Sequence, residues 1–345
     1  MSGSKPNLYG WNRDELRELI ERHAAPSFHA GQIYRWLYAR RRFDVTGWTN
    51  LALPLRSKIA AETRIDPGRL ADRAQADDGT VKFQVRLAGG GDVECVRMLQ
   101  TGRTTLCISS QVGCALDCDF CLTGKMGFVR NLFPGEIVGQ VALMLEDSGP
   151  DTDRFNIVFM GMGEPLHNYD AVMAAVRLLV DPEGFGLSRR RITISTAGLV
   201  PAIEQLAREA LRPRLAVSLN ATTDEVRSRL MPINRKYDIA RLIEACSSFA
   251  RTTGDGFTFE YVLLEGINDS PQDLQRLAVL LRGLPAKLNL IPFNAVPGQL
   301  DYRAPSRERV TAFRDGLLDR QVRTSIRWSR GANARAACGQ LALPR

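Results

Sequence analysis

The hydrophobic pattern along this chain predicts a helical unit followed by a hairpin. Leu16, Leu19 and Ile20 recur at helical spacing behind Asn12 and Glu15, which are spaced as a capping pair. A second helix is predicted over residues 28–42, ending before the turn at residues 46–47. Residues 81–87 then alternate between apolar and polar, and the glycine-rich turn at residues 89–92 leads into a returning strand.

From about residue 103 the pattern changes to short apolar runs separated by amphipathic segments. Such runs are typical of strands that are buried on both faces. The predicted strands cover residues 105–109, 156–160, 191–195, 214–219, 257–263 and 287–292, with helices such as 135–145, 171–179 and 273–281 between them. Six β/α units with right-handed crossovers form a parallel barrel or an open half-barrel. In such folds the chemistry lies at the carboxyl ends of the strands.

These patterns divide the chain into four predicted segments, and its composition fits that division. Residues 1–65 form a helical accessory unit, 66–102 a β-hairpin extension, 103–330 an α/β partial barrel and 331–345 a tail. The 345 residues are 44% hydrophobic and 24% charged, as in an ordinary soluble protein with one large domain and small additions.

Charge changes the picture by suggesting a polyanionic partner. The formal net charge is +8, and neutralising phosphates with cations releases counterions. Arginines mixed with aromatic residues at 34–42 form one candidate RNA contact, and residues 188–191 form a second, although a charge run is more often a solvated face. Residues 1–8 lack the apolar core of a signal peptide, and no run approaches the ~18 apolar residues of a membrane span. We therefore expect a cytoplasmic protein without membrane contact, and nothing demands more than a monomer.

The cysteines supply the candidate chemistry. Four of the seven lie between positions 107 and 121, and Cys114, Cys118 and Cys121 have C-x3-C-x2-C spacing just after the first barrel strand. Thiolates at this spacing can hold an iron–sulfur cluster or zinc. With three ligands, a four-iron cluster keeps one iron open, where S-adenosylmethionine (SAM) can chelate. A structural zinc site is the alternative, with Cys107 as a fourth thiolate.

This segment and its surroundings resemble the radical SAM superfamily, and within it the RNA methyltransferases RlmN and Cfr. The resemblance covers nearly the whole chain, including residues 107–121, 127–132 and 336–341. It implies a radical SAM partial (β/α)6 barrel and a [4Fe–4S] cluster on the three motif cysteines. It also implies two molecules of SAM per turnover, an RNA-binding N-terminal unit and an electron donor such as flavodoxin.

The resemblance also implies which residues bind SAM. Residues 161–165 match the family's SAM-binding loop, and the remaining candidates lie at strand ends. The implied cofactor-binding residues are Gly163, Glu164, Ser195, Ser218, Leu219, Asn220 and Asn294. Each of them alone is more often a turn or cap residue, so these assignments depend on the resemblance.

Three further residues match catalytic positions of the family. Cys338 is implied to accept a methyl group from one SAM, and a radical made from the second SAM then takes a hydrogen from that methyl group. Cys107 is implied to release the RNA adduct by forming a transient disulfide with Cys338. Glu94 is implied to accept a proton. Strand alternation places it on the same face as Val96 and Met98, so its carboxylate has apolar neighbours. The alternative is a structural glutamate that pairs with a nearby arginine such as Arg97. The alternative for Cys338 is that it only fills space as a small buried side chain. We expect that structural role for Cys95 and Cys246.

The chain departs from the family pattern at two positions. Asn220 stands where the family usually has histidine, and Arg335 stands where it usually has aspartate, which puts the docking of the tail and the choice of RNA in question. The implied reaction is methylation of carbon-2 of an adenosine in 23S rRNA, with tRNA as a further candidate substrate; residues 127–130 favour RlmN over the Cfr-like carbon-8 reaction. A non-catalytic zinc-stabilised RNA-binding protein and a radical SAM enzyme for a small molecule are two competing hypotheses.

Overall fold

The computed structural model describes residues 5–100, 102–149, 154–296 and 298–342. Helices cover the N-terminal unit and alternate with strands through the rest of the chain. Within these ranges the helices are α1 (Arg13–Arg22), α2 (Phe28–Tyr34), α3 (Leu53–Glu62), α4 (Leu122–Lys125), α5 (Pro134–Ser148), α6 (Tyr169–Val180), α7 (Val200–Arg208), α8 (Asp224–Leu230), α9 (Ile239–Thr253), α10 (Pro271–Leu280) and α11 (Arg307–Leu318). None of these described helices combines the length and the apolar composition that a transmembrane span requires.

The strands of the described residues form one large sheet and one small one. They are β1 (Arg69–Gln75), β2 (Val81–Arg86), β3 (Asp92–Gln100), β4 (Arg103–Cys107), β5 (Gln111–Gly113), β6 (Phe128–Asn131), β7 (Phe155–Phe159), β8 (Ile192–Thr196), β9 (Arg214–Ser218), β10 (Phe257–Leu263), β11 (Ala286–Pro292) and β12 (Thr324–Ile326). The large sheet has the order β1-β2-β3-β4-β7-β8-β9-β10-β11-β12, and β5 pairs with β6.

The predicted parallel barrel is present, with one strand more than expected. Strands β4 and β7 to β12 pair in parallel, and helices connect them. Six of these strands match the predicted runs to within a few residues. The seventh, β12, was missed because it has only three residues, none of them fully buried. Strand β1 was missed for a related reason, since most of its residues are exposed and show no alternation.

The predicted hairpin is present, but it continues the barrel sheet. Strands β2 and β3 pair antiparallel, with Gln84 opposite Glu94, and β3 pairs antiparallel with β4, with Val96 opposite Cys107. Because β4 is the first parallel strand, this arrangement fixes Glu94 beside the carboxyl ends of the barrel strands.

The N-terminal unit is a small helical core docked on the barrel. The capping box of Asn12 and Glu15 forms as predicted. The second helix is shorter than the expected 28–42, because α2 ends at Tyr34 and a π-helical turn over Arg35–Ala39 finishes it. At the interface with the barrel, a Cβ on Gly135 would lie 1.9 Å from the carbonyl oxygen of Tyr9. That close backbone approach explains the glycine there.

Candidate active site

A cavity of about 170 Å³ opens at the carboxyl ends of the parallel strands. It gathers most of the residues that the sequence singled out. The predicted residues in its wall are Cys114, Cys118, Cys121, Gly163, Glu164, Ser195, Ser218, Asn220, Asn294 and Cys338. We call it the reaction cavity. Leu219 is different: its side chain is fully buried, and the residue is not in the wall.

The three motif thiols enter the reaction cavity from the loop between β5 and α4. Burial is the main cause that raises their pKa values, to about 12 for Cys114. Among the described residues, no three His, Cys, Asp or Glu side chains are grouped closely enough to bind a single metal ion. The three thiols offer soft sulfur ligands from one wall of the cavity, and such ligands suit an iron–sulfur cluster. Binding of a cluster would displace the protons of the thiols.

Glu164 is held rigidly in the wall of the reaction cavity. Its carboxylate accepts hydrogen bonds from the backbone N–H groups of Ala197 at 2.7 Å and Leu166 at 3.0 Å. Burial nevertheless raises the pKa of Glu164 to about 7. The loop approaches Gln111 so closely that a Cβ on Gly163, at φ +95°, would lie 2.5 Å from the Gln111 side chain. The glycine therefore allows Glu164 to face the cavity.

The tail that carries Cys338 is pinned to the cluster loop and to the last strands. Asn294 Nδ2 donates to the carbonyl oxygen of Cys338 at 3.0 Å, and the Leu122 N–H donates to that of Gly339 at 2.9 Å. Thr123 Oγ1 donates to the carbonyl oxygen of Leu341 at 2.6 Å. These bonds hold Cys338 in the same wall as the three motif thiols.

Glu94 lies beyond the reaction cavity and touches the same tail. Its carboxylate pairs with Lys82 Nζ at 2.8 Å and accepts a hydrogen bond from the Ala342 N–H at 2.9 Å. Arg97 instead pairs with Asp147 at 2.9 Å, so Glu94 is paired with a cation, as the alternative expected, but the partner is Lys82 and not Arg97. Burial raises the pKa of Glu94 and outweighs the opposing effects of Lys82 and Ala342. The side chains of Glu94 and Lys82 line a neighbouring cavity of about 830 Å³, and Arg335 also lies in its wall.

Comparisons with known proteins identify this arrangement. The model of the radical SAM superfamily matches residues 108–278, and that of the ribosomal RNA large subunit methyltransferase N-terminal domain matches residues 6–65. The dual-specificity RNA methyltransferase RlmN of Dinoroseobacter shibae is 45% identical, over 98% of this chain and 90% of that protein. Its counterpart from Anaeromyxobacter sp. is 47% identical, over 98% and 91%. The chain belongs to the RlmN family of radical SAM RNA methyltransferases.

A solved structure agrees with this assignment. The crystal structure of a radical SAM methyltransferase from Sphaerobacter thermophilus has a TM-score of 0.92 and 44% identity, covering 97% of this chain and 99% of that one. The predicted fold class and the prediction of an enzyme are therefore confirmed. Family membership removes the hypothesis of a non-catalytic zinc-binding protein, and it implies the cluster and SAM as cofactors.

Asn220, where this RlmN-family chain departs from the family pattern, fits its local backbone and its neighbours. Asn220 has φ +57°, a left-handed conformation that asparagine tolerates better than most residues. Its Oδ1 accepts a hydrogen bond from the Val262 N–H at 2.8 Å, and its Nδ2 lies 3.3 Å from Met231 Sδ. The amide is thus already engaged within the wall of the reaction cavity.

Arg227 is a supporting residue that the sequence did not reveal. It is fully buried, and its guanidinium donates to the carbonyl oxygens of Ala197 at 2.8 Å, Ser218 at 3.0 Å and Leu219 at 3.0 Å. It also donates to Asn234 Oδ1 at 2.9 Å. Burial lowers the pKa of Arg227 to about 10. Arg227 ties the ends of β8 and β9 together beneath the cavity, and nothing in the helical segment 224–230 marks it beforehand.

Cys107 lies behind the reaction cavity, at the end of β4. It is buried, and burial, reinforced by electrostatic interaction with Cys338, raises the pKa of the Cys107 thiol to about 12. Both thiols are free in the structure. Arg327, just after β12, reaches into the barrel with its Nη1 at 3.0 Å from Met160 Sδ. Electrostatic interaction with Cys338 is the first cause that raises the pKa of Arg327, which places a cation beside the two cysteines.

The aromatic residues of the first candidate RNA contact belong to the core of the N-terminal unit. Trp36 and Leu37 are buried, as expected, and Arg40 stacks over the Trp36 ring at 4.2 Å. Arg35 lies 3.4 Å from Glu183 on the barrel. An RNA contact by the remaining exposed arginines of this unit stays a prediction.

Proposed function

We propose that this enzyme methylates carbon-2 of an adenosine in 23S rRNA, and also an adenosine of tRNA, through a methylated Cys338. The observation that carries the proposal is the position of Cys338 in one wall with the three motif thiols and Glu164. A methyl group on this sulfur would face the same cavity that would hold SAM. The description of the relatives as dual-specificity RNA methyltransferases supports two RNA substrates.

In this proposal the cofactors occupy the reaction cavity. Cys114, Cys118 and Cys121 would hold the [4Fe–4S] cluster, which supplies the electron for reductive cleavage of SAM when bound. Glu164 would hold the ammonium group of SAM, because it is a buried carboxylate with a free face on the cavity. Ser195 and Ser218 offer hydroxyl groups for the polar atoms of SAM.

Cys338 would act first, as a nucleophile. Its sulfur takes the methyl group of one SAM, the bond from that methyl to the SAM sulfur breaks, and the thiol proton leaves to solvent. Asn294 keeps the tail in place through the Cys338 carbonyl oxygen at 3.0 Å. A second SAM is then needed to activate the methyl group, which gives two per turnover.

Glu94 and Cys107 would complete the reaction. A radical made from the second SAM would first take a hydrogen atom from the S-methyl group, and the resulting carbon would add to the adenine ring. Glu94 would take the proton from the substituted ring carbon, and the remaining unpaired electron would return to the cluster. Cys107 would then lose its proton and bond to the sulfur of Cys338 as the bond from that sulfur to the carbon breaks; the carbon takes up a proton to become the methyl group, and a reductant later restores both thiols. The position of Cys107 at the end of β4 and its charge interaction with Cys338 support this role.

The test is nucleoside analysis with the reconstituted enzyme. Protein loaded anaerobically with iron and sulfide is incubated with SAM, a reductant and a 23S rRNA fragment or tRNA, and the digested nucleosides are analysed by mass spectrometry. We expect 2-methyladenosine, its loss in Cys338→Ala and its retention in Cys246→Ala, a matched variant of a buried cysteine in α9. Formation of 8-methyladenosine, or product from Cys338→Ala, would overturn the proposal.

A further inference from the structure

A second large cleft lies at the amino ends of the strands, opposite the reaction cavity. It has a volume of about 880 Å³, and seven of the side chains in its wall are cationic. These are Arg189, Arg190, Arg214, Arg282, Lys287, Arg320 and Arg323. We call it the basic cleft. Its cations come from the segments that lead into β8, β9, β11 and β12, so the fold brings together residues that are far apart in sequence.

The positive charge of the basic cleft is largely uncompensated. Asp255 is the carboxylate in its wall, and it is already engaged by Arg189 at 3.0 Å and by Arg212 at 4.0 Å. Within the described ranges, the other six cations have no carboxylate within 4 Å, and all six are exposed. The whole chain has an excess of eight positive charges, so much of that excess is concentrated here. Clustered like charges repel one another unless an anionic partner neutralises them.

We propose that the basic cleft is a second RNA-binding surface, which holds the phosphodiester backbone of a substrate strand away from the reacting base. The inference rests on the proposed RNA substrate. Arginine and lysine are the residues that contact phosphates, and such contacts position an RNA without reading its sequence. A large RNA held at both ends of the barrel would gain affinity from the cleft while its target base enters at the other end.

The wall of the basic cleft favours RNA over an acidic protein. Protein interfaces have an apolar, aromatic-rich centre. The aromatic side chains in this wall, Phe249 and Phe257, are buried, and none of the exposed large apolar side chains of the described residues lies in it. A protein electron donor would also dock far from the motif cysteines, because five-residue strands of about 3.3 Å per residue separate the two ends.

The experiment compares charge reversal with charge retention in the cluster-loaded enzyme. Binding of a 23S rRNA fragment and of tRNA is measured for wild type, for Arg214→Glu/Arg323→Glu and for Arg214→Lys/Arg323→Lys, over a range of salt concentrations. The reversed pair should weaken binding by about tenfold or more and lower the slope of log K against log[salt] by about two. The lysine pair should bind nearly as wild type, since it keeps both charges.

A second pair of variants tests whether position matters as well as net charge. Arg208→Glu/Arg241→Glu changes two exposed cations of α7 and α9 that lie outside the cleft wall. We expect this pair to bind RNA within about twofold of wild type, because neither residue lies in the wall of the cleft and exposed charges outside a contact are screened by salt. An equal loss in both reversed pairs would mean a general effect of net charge and would overturn the inference.

The remaining outcomes separate this inference from the proposed function. If wild type binds and methylates RNA and the reversed cleft pair does so equally well, only the cleft assignment fails. If wild type modifies no RNA, the proposed function fails. The reversed cleft pair could also bind RNA normally but turn over slowly with a protein electron donor and at the normal rate with dithionite. That result would assign the cleft to an acidic protein. Saturable binding of inorganic phosphate that RNA does not displace would assign it to a small anion; either result overturns the inference.

Discussion

The two ends of the barrel use charged side chains in opposite ways. At the carboxyl end, Arg227, Glu164 and Glu94 are buried, and each is held by specific hydrogen bonds. At the amino end, the cations of the basic cleft are mostly exposed and lack carboxylate partners among the described residues. A buried charged group acts through hydrogen bonds and ion pairs of fixed geometry, so its removal leaves buried polar partners without a hydrogen bond. An exposed charge acts through a field that salt screens. The comparison predicts large, salt-insensitive effects at one end and small, additive, salt-sensitive effects at the other.

The largest effect is expected from Glu94→Gln. The amide keeps an oxygen for the Ala342 N–H, so the tail stays docked, but the proposed proton acceptor is lost. Product formation should fall by about 10²- to 10⁴-fold, while methylation of Cys338 from SAM continues. Mass spectrometry of the protein and of the nucleosides measures both. Normal product formation would exclude Glu94 as the base.

Lys82→Met tests how the neighbouring cation supports that base. Lys82 lowers the pKa of Glu94 against the effect of burial, so its removal should shift the proton-accepting limb of the pH–rate profile to higher pH. The profile of the wild type is the reference. An unshifted profile with a uniformly lower rate would show that Lys82 serves only the structure.

Arg227→Met is expected to destabilise the fold strongly. Five backbone and side-chain oxygens would lose their donor in a site that water does not reach, at a cost of about 3–5 kcal/mol. Denaturant unfolding measures the change in the free energy of unfolding. Arg229→Met is the matched control, because Arg229 is exposed on the same helix, and its change should stay within about 0.5 kcal/mol. Similar losses in both variants would contradict the support role.

Glu164 predicts a pH dependence of SAM binding. Its folded-state pKa is raised to about 7, and the charged form is the one that attracts an ammonium group. Affinity should therefore rise with pH through this region, by about tenfold from pH 6 to pH 8, since the ionised fraction grows by about that factor. Equilibrium binding to the cluster-loaded enzyme measures it. In Glu164→Gln, binding should be weaker and should lose this dependence; an equally steep dependence would assign it to another group.

Single substitutions in the basic cleft should have the smallest effects. Arg282→Ala and Arg323→Ala are each expected to weaken RNA binding by only a few-fold, and the two effects should multiply in the double variant. At about 0.5 M salt the differences should disappear, because exposed charges are screened over a few ångströms. A large loss from one variant that persists at high salt would mean that this end also contains a specific site.

Local patterns allowed much of the fold and of the reaction cavity to be predicted. The parallel strands appear as apolar runs because both of their faces are buried, and the motif cysteines are recognisable because one short loop holds all three. The candidates at strand ends converge because parallel strands end at the same edge of the sheet. Leu219 did not follow this rule, since its neighbours Ser218 and Asn220 face the cavity and its own side chain points into the core.

The sequence by itself therefore determined the order of the elements, the candidate cluster ligands and the family pattern, all of which depend on neighbouring residues. Only the tertiary structure decided that Lys82 is the partner of Glu94, that Arg227 joins two strand ends, and that arginines from four segments form one cleft. The physical reason is that burial and pairing of a charge depend on which distant segments pack around it. An arginine at position 227 looks like one at position 229 until the chain folds.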